Sequence, residues 1–517
     1  MVNNFSDALG MVADPFVILV VVLSGLLGIV IGSLPGLTAT LGAALLIPFT
    51  FFLDPIPAIA SIITMSAMAI FAGDIPGALL RMPGTPSSAA YVSDLYEMTR
   101  QGKARTGLTI SLLASVIGGL GGSIVLILLA PVVGEFALGF TSYEYFWVAV
   151  LGLTAAVIVS QGSQIKGTIA LMTGLLISTV GLDVALGYPR FTFDQPALYQ
   201  GIHFIPAMIG LFGISEVLRN VTEKKISQPI GISMSKKSSE KGSFGAASRI
   251  LWKRKGSLVQ GNVTGSIVGA VPGAGADIAS WISYAVGKNT SKKDTSEKGY
   301  STGPLVAAGG ANNAALGSSY IPTLAFGIPG DTITAILIGV LLVKGIEPGP
   351  NLFLTQTDTL YALYVIFILA NLLLIPLGLM AIRTSGLILK LPRPVLMATV
   401  VALSVTGAYA INMSYLEIGV VVGLAVVGFF FERYGVPLAP VVLGIVLGPN
   451  LEANFMQSVI KTNWDLSQFF TRPVSAILIG LTALVLLFPL ISKGIRALLP
   501  KKVKVDEVLP TSTSVGS

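Results

Sequence analysis

Apolar stretches recur along the whole chain, each ended by a short polar or glycine–proline interruption. A helix needs about 20 apolar residues to cross roughly 30 Å of hydrocarbon. In the first half such stretches lie near 15–34, 37–53, 56–82, 107–133, 143–160, 166–187 and 203–218. In the second half they lie near 257–287, 303–326, 330–346, 358–382, 394–411, 415–431, 435–450 and 473–492. Several are too short or too broken to span alone. The length rule therefore predicts an all-α polytopic membrane protein with about 11–13 transmembrane helices, the remainder being half-helices or re-entrant hairpins.

Composition sharpens this reading. Hydrophobic residues make up 53% of the chain and charged residues 11%, whereas soluble domains carry about 25% charged residues. A mean hydropathy of +0.82 over such a length cannot be hidden inside one soluble core, so apolar surface faces a lipid bilayer. The absence of cysteine excludes disulfides, thiolate metal sites and thiol catalysis. The single histidine, His203, speaks against histidine metal centres and catalytic triads. No metal site, catalytic residue or cofactor is expected. The net charge of +7 does not point to nucleic acid, because the basic residues sit in loops beside apolar segments, where they act as an orientation signal.

Charge also divides the chain. Residues 220–256 form a polar stretch with basic residues from Lys224 to Lys255 against only Glu223 and Glu240. Asymmetry of this kind places a linker in the cytoplasm. The loop carrying Arg100, Lys103 and Arg105 and the tail carrying Lys493, Arg496, Lys501, Lys502 and Lys504 are expected on the same side. The amino terminus has no basic residue before its first apolar run, Pro15 to Leu34. A signal peptide needs a basic n-region, so this run is read as a retained helix that starts outside. The expected organisation is a first transmembrane repeat (1–219), a basic cytoplasmic linker (220–256), a second transmembrane repeat (257–500) and a disordered polar tail (501–517). An odd number of segments before the linker makes the two repeats inverted.

Two glycine–proline elements recur in the same order in each half. Gly32-Ser33-Leu34-Pro35-Gly36-Leu37-Thr38-Ala39-Thr40 is answered by Gly269-Ala270-Val271-Pro272-Gly273-Ala274-Gly275-Ala276-Asp277. Met82-Pro83-Gly84-Thr85-Pro86 is answered by Ile328-Pro329-Gly330-Asp331-Thr332. Proline removes a backbone donor and clashes with the preceding turn, and glycine tolerates dihedrals other residues avoid. Together they break a helix. A broken helix in lipid leaves polar backbone unpaired unless it lines a watery or protein-buried cavity. The helix that restarts after the break offers free N–H groups and a partial positive charge to an anion. Paired breaks at corresponding places in two halves are the best sequence pointer to a transporter binding site. An ordinary kink or loop turn would explain one Pro-Gly, but less readily four in two ordered pairs.

Ionised side chains at bilayer depth cost at least about 2.5 kcal/mol and tend to persist for a function. Asp74, Arg81, Asp277 and Asp331 lie beside the breaks, and Asn312 and Asn313 sit in a run of small residues. Each can instead be a helix-end residue or an interhelical hydrogen-bonding group. Glu135, Glu144, Asp183 and Glu417 are expected near membrane surfaces, and His203 in a structural role.

These motifs carry a resemblance. The chain resembles the large membrane subunit of the tripartite tricarboxylate transporters through Leu34-Pro35-Gly36-Leu37, Pro83-Gly84-Thr85-Pro86, Tyr96-Glu97-Met98, Gln101-Gly102-Lys103-Ala104 and Pro272-Gly273-Ala274-Gly275-Ala276-Asp277. The most specific stretch is Ala311-Asn312-Asn313-Ala314, then Gly327-Ile328-Pro329-Gly330, then Lys344-Gly345-Ile346-Glu347-Pro348-Gly349-Pro350. The resemblance implies a bacterial inner (plasma) membrane secondary transporter for small di- or tricarboxylates, driven by H+ or Na+. It also implies two partners, a periplasmic solute-binding protein and a small four-helix membrane subunit. The chain differs from the family pattern at Ala308-Gly309, at Asp74 (where a glycine is common) and at Arg81, so the resemblance implies the carboxylate class rather than citrate itself.

The resulting expectation is a carboxylate held near the midplane by Pro35, Gly36, Thr38, Thr40, Pro83, Gly84, Thr85, Ser87, Pro272, Gly273, Ala274, Gly275, Pro329, Gly330 and Thr332. The coupling cation is expected at Asp277, Asn312, Asn313 or Asp331. An ion or anion channel is the alternative class, since broken helices also build pores; a membrane-embedded enzyme would need a carboxylate or histidine cluster that the sequence does not supply.

Overall fold

A computed structural model describes residues 2–35, 37–159, 163–184, 186–222, 243–290, 299–388 and 393–498. Gly36, linker residues 223–242 and the 501–517 tail lie outside the described residues. The described residues are all-α apart from one short hairpin, Gly181–Leu182 paired antiparallel with Pro189–Arg190. Among the described residues, seven helices are long and apolar enough to cross a membrane, and six shorter apolar helices accompany them. The protein is a multi-pass membrane protein.

The two halves run through the same order of elements. The first half has Pro15–Ser33, a break, Ala39–Thr50, then Pro55–Ala72 continuing past Gly73 as Asp74–Leu80, a second break, the short Val92–Arg100, and the long Ala104–Leu138. The second half has Lys255–Gly269, a break, Gly275–Thr290, Thr302–Phe326, a second break, Thr332–Val343 and the long Thr357–Ile388. The apolar run at 257–287, legible as one segment, is thus two helices. The spans Ser142–Val159, Gln164–Ser178 and Phe204–Thr222 complete the first half. Arg393–Asn412, Tyr415–Arg433, Ala439–Lys461 and Pro473–Leu498 complete the second. An amphipathic helix at Val2–Val12, not anticipated, packs Phe5 edge-on against Tyr361 at 6.0 Å; its Phe5, Ala8 and Val12 follow the spacing that signals one apolar face, and Ala8 and Val12 are buried.

Small residues decide how closely these helices approach. In lipid there is no hydrophobic drive between apolar helices, so association rests on close backbone packing. Gly28 and Gly32 lie directly on the carbonyls of Met65 and Ala69, and Gly261, Gly265 and Gly269 lie in the same way on Ala307, Ala311 and Ala315. The first helix of each half is therefore fastened to the third by one glycine ridge. The long 104–138 helix crosses 302–326 through Gly118 against Gly310 and Gly122 against Ala314.

Contacts at the helix ends define two ends of the bundle. At one end Lys103 donates to the Tyr300 hydroxyl at 3.2 Å, and Tyr284 donates to Asp94 at 2.8 Å. At the other, Lys344 donates to the Phe51 carbonyl at 3.1 Å and Gly134 packs on the Phe353 ring. The hairpin 15–50 returns to the Lys344 end, and the hairpin 255–290 returns to the Lys103 end. The bends of both hairpins meet between the ends.

Candidate functional site

Two of the four breaks restart as helices with a side-chain amino-terminal cap. Thr38, with extended backbone, accepts from the Leu41 N–H at 3.1 Å and opens helix 39–50. The Asp331 carboxylate accepts from the Thr334 N–H at 2.7 Å while the Asp331 N–H donates to the Thr334 hydroxyl oxygen at 2.8 Å, a capping box that opens helix 332–343. Gly273 and Gly275 take φ of +79° and +60°, a conformation costly for any residue with a Cβ. They turn the chain sharply into helix 275–290. In the remaining break Gly84 N–H donates to the Gly73 carbonyl at 3.0 Å, and Thr85, Ser87 and Ser88 bond among themselves before helix 92–100.

The four breaks converge. One cavity of about 450 Å³ is lined by Thr38 and Thr40, by Thr85, Pro86 and Ser87, by Gly273 to Ile278, and by Asp331, Thr332 and Ile333. Thr40 and Thr332 hydroxyls bond to one another at 2.8 Å, tying the first break of one half to the second break of the other. Gly275 fits against the Asp331 Cβ at 2.8 Å from where a Cβ would stand. Ser87 faces the Asp277 carboxylate with both its N–H and its hydroxyl, and Asp277 lies within electrostatic reach of Asp331. Three helix amino termini and a set of hydroxyls therefore address one space, an arrangement that attracts an anion.

Several sequence candidates stand elsewhere. Pro35, Pro83, Gly84, Pro272, Pro329 and Gly330 are not in the cavity lining. They shape the turns behind it, Gly84 against Gly32 and Gly330 against Ser319. Asn312 and Asn313, in the middle of helix 302–326, are 0% and 1% exposed and do not line the cavity either; a small-residue helix buried on all sides carries them inward. Arg81 is a left-handed helix cap whose guanidinium lies over the Tyr96 ring. His203 lies 3.6 Å from Glu417 at a helix end.

The remaining wall escaped the sequence reading. Phe212, Arg219, Glu432 and the loop Gly435–Leu438 line the cavity toward the linker end. Arg219 is held there by Glu216 at 2.6 Å and Glu432 at 3.7 Å. Basic and acidic residues at helix ends are so common in membrane proteins that nothing marked these.

A second cavity of about 400 Å³ opens toward the Lys344 end, lined by Phe326, Ile328, Glu347 to Asn351, Tyr145, Leu447, Asn450 and Asn454. The two cavities follow one another along helix 439–461, Leu443 facing the first and Leu447 the second. One helical turn, about 6 Å, separates them. Ile328, Leu443, Leu447, Val148 and Ala156 fill that septum as one apolar cluster.

Comparison with known proteins places this architecture. The tripartite tricarboxylate transporter TctA family matches residues 18–443. The chain belongs to that family. Members are transport proteins of multi-subunit systems, which is the setting of the duplicated breaks and the paired cavities. Among similar proteins, an uncharacterized 52.8 kDa protein in the TAR-I ttuC' 3' region of Agrobacterium vitis is 32% identical over 498 residues, covering 94% of this chain and 96% of that protein. A second, an uncharacterized protein in the TAR-II ttuC' 3' region of the same organism, is 34% identical over 220 residues, 42% of this chain and 90% of that protein. No solved structure matches.

Proposed function

We propose that the chain is the transport subunit of a secondary uptake system for a small di- or tricarboxylate in the bacterial inner membrane. The carrying observation is the meeting of all four breaks in one cavity. Family membership supports the tricarboxylate class, and Thr38, Thr40, Thr85, Ser87 and Thr332 supply donors at the helix termini for carboxylate oxygens. Each helix-terminus contact contributes about 0.3–2 kcal/mol, so three together suffice for modest affinity.

Cation coupling has its own support. Asp277 and Asp331 border the same space, and a substrate carboxylate beside two carboxylates is repelled unless cations enter with it. H+ or Na+ is the driving ion of this reading. The apolar septum favours a carrier over a channel, because substrate must wait for Ile328 and Leu447 to part. The cavity with the four breaks is lined by Arg219 and Glu432 at the linker end, which supports an inward-facing reading once that end is taken as cytoplasmic. The opposite return of the two hairpins supports inverted repeats. On the outer face the second cavity is the docking side for a periplasmic solute-binding protein, and a small four-helix subunit completes the complex.

The test is uptake of a panel of labelled mono-, di- and tricarboxylates into vesicles holding the chain with its partner subunit and binding protein. Saturable uptake of one acid, dependent on an imposed cation gradient, is the expected result. Ion currents that persist without any gradient or binding protein would sink the reading.

A further inference from the structure

Behind the wall of the main cavity lies a closed polar cluster that the carboxylate site does not use. Asp74 is 0% exposed and opens the continuation helix Asp74–Leu80 just after Gly73. One carboxylate oxygen accepts from the Ser111 hydroxyl of helix 104–138. The other has no hydrogen-bond partner. Tyr91 stands beside Asp74 and beside Asn312 of helix 302–326, yet neither the Tyr91 hydroxyl nor either polar atom of Asn312 closes a hydrogen bond. Both residues are 0% exposed. Among the described residues no lysine or arginine pairs with Asp74.

A buried carboxylate without a basic partner is costly as a bare anion, because one or two neighbouring hydroxyls compensate its desolvation only in part. Buried amides and hydroxyls without partners carry a similar penalty. Both penalties vanish if something positive sits among these oxygens. We propose that Asp74, with Tyr91, Ser111 and Asn312, holds one monovalent cation in a site separate from the carboxylate cavity. All four donors are oxygens, the ligand type of hard cations. A single carboxylate balances a single positive charge, which fits H+ or Na+ and not a divalent ion. The site is also wired to the cavity. Gly73 lies between them, its hydrogen standing where a Cβ would be 2.7 Å from the Thr85 side chain, and its carbonyl holds the Gly84 N–H. Filling the Asp74 site therefore fixes the turn that presents Thr85 and Ser87 to substrate. This last step rests on the transport reading above; cation binding does not.

The experiment uses the purified full-length chain and reads the thermal unfolding midpoint. Na+ is titrated against choline at constant ionic strength, and separately pH is varied from 8 to 5.5 without Na+. Tyr91 is the other titratable group facing Asp74, and Ser111 and Asn312 do not titrate. A site that takes Na+ raises the midpoint with Na+, and a site that takes H+ raises it as pH falls; a tenfold excess over the half-saturating concentration already stabilises measurably. Asp74→Asn, which keeps the shape and removes the charge, is expected to remove the Asp74 share of whichever response the natural chain shows. The remainder belongs to Asp277, Asp331 and Glu216 and vanishes only in a chain that also carries Asp277→Asn, Asp331→Asn and Glu216→Gln. Asp183→Asn on an exposed loop retains the full response. Tyr91→Phe and Ser111→Ala, should the first variant fail to fold, are expected to move the half-saturation point by about tenfold each. An Asp74→Asn chain whose response to both ions is undiminished overturns the proposal, as does a natural chain that responds to neither. Stabilisation by a tricarboxylate, measured alongside, reports the main cavity independently, so loss of one reading is distinguishable from loss of the other.

Discussion

Asp331 carries two candidate roles, and its geometry separates them. The carboxylate accepts the Thr334 N–H at 2.7 Å as a helix cap. Asparagine caps about as well as aspartate, whereas alanine costs about 1 kcal/mol. Asp331→Ala is expected to lower the unfolding midpoint and Asp331→Asn to leave it in place. Uptake that falls in Asp331→Asn with folding intact then assigns the charge to coupling, and unchanged uptake leaves it as a cap alone. Asp183 offers a simpler case on an exposed loop. The Leu186 N–H at 2.6 Å, with the Gly187 N–H also at 2.6 Å, holds its carboxyl below the usual range. A depressed carboxyl stabilises the loop above the unfolded value near about 4 and loses that effect as pH falls through the lower folded value. Amide exchange at Leu186 and Gly187 is expected to quicken across that window relative to its intrinsic rate, and Asp183→Asn to remove the step.

Helices in this protein are held at contact distance by glycine, and the consequence is measurable. Gly118 has the Gly310 carbonyl where a side chain would begin, and Gly122 has the Ala314 carbonyl 2.5 Å away. Overpacking of this kind costs about 1–3 kcal/mol. Gly118→Val is expected to lower the midpoint clearly, whereas Gly419→Ala, with nothing within 4 Å, is not. The septum is testable by chemistry the chain otherwise lacks. It has no cysteine, and a Cβ on Gly152 would stand 2.8 Å from the Ile328 side chain. Gly152→Cys with Ile328→Cys is expected to cross-link under oxidant and arrest uptake, with recovery on reduction. Uptake that continues in the cross-linked protein removes the septum as the barrier.

Basic residues are unequally divided between the two ends of the bundle. Arg100, Lys103, Lys166, Arg219, Lys255 and Arg433 gather at the linker end, whereas Arg190, Lys344, Lys461 and Arg472 serve the other; Arg100 and Arg219 of the first group and Arg190 and Arg472 of the second lie in ion pairs. Such a bias orients a membrane protein with the richer end in the cytoplasm. Single cysteines at Ser248 and Ser467 are therefore expected to react with an impermeant maleimide from opposite sides, Ser467 from outside. Labelling of both from one side contradicts the orientation.

Membrane residence, helical class and the positions of the four breaks were legible in the residue order, because each follows from local chemistry. Apolar length requires lipid, proline removes a donor wherever it stands, and threonine or aspartate after a break caps the next helix. The register of contact was not legible. That Thr38, Thr85, Asp277 and Asp331 share one cavity, whereas Asn312 turns away to Asp74 and Tyr91, depends on which glycine ridge meets which helix. Such pairings join residues hundreds of positions apart, as Thr40 and Thr332 show. No local pattern encodes them, because close packing of small side chains selects them only when all the helices are in place.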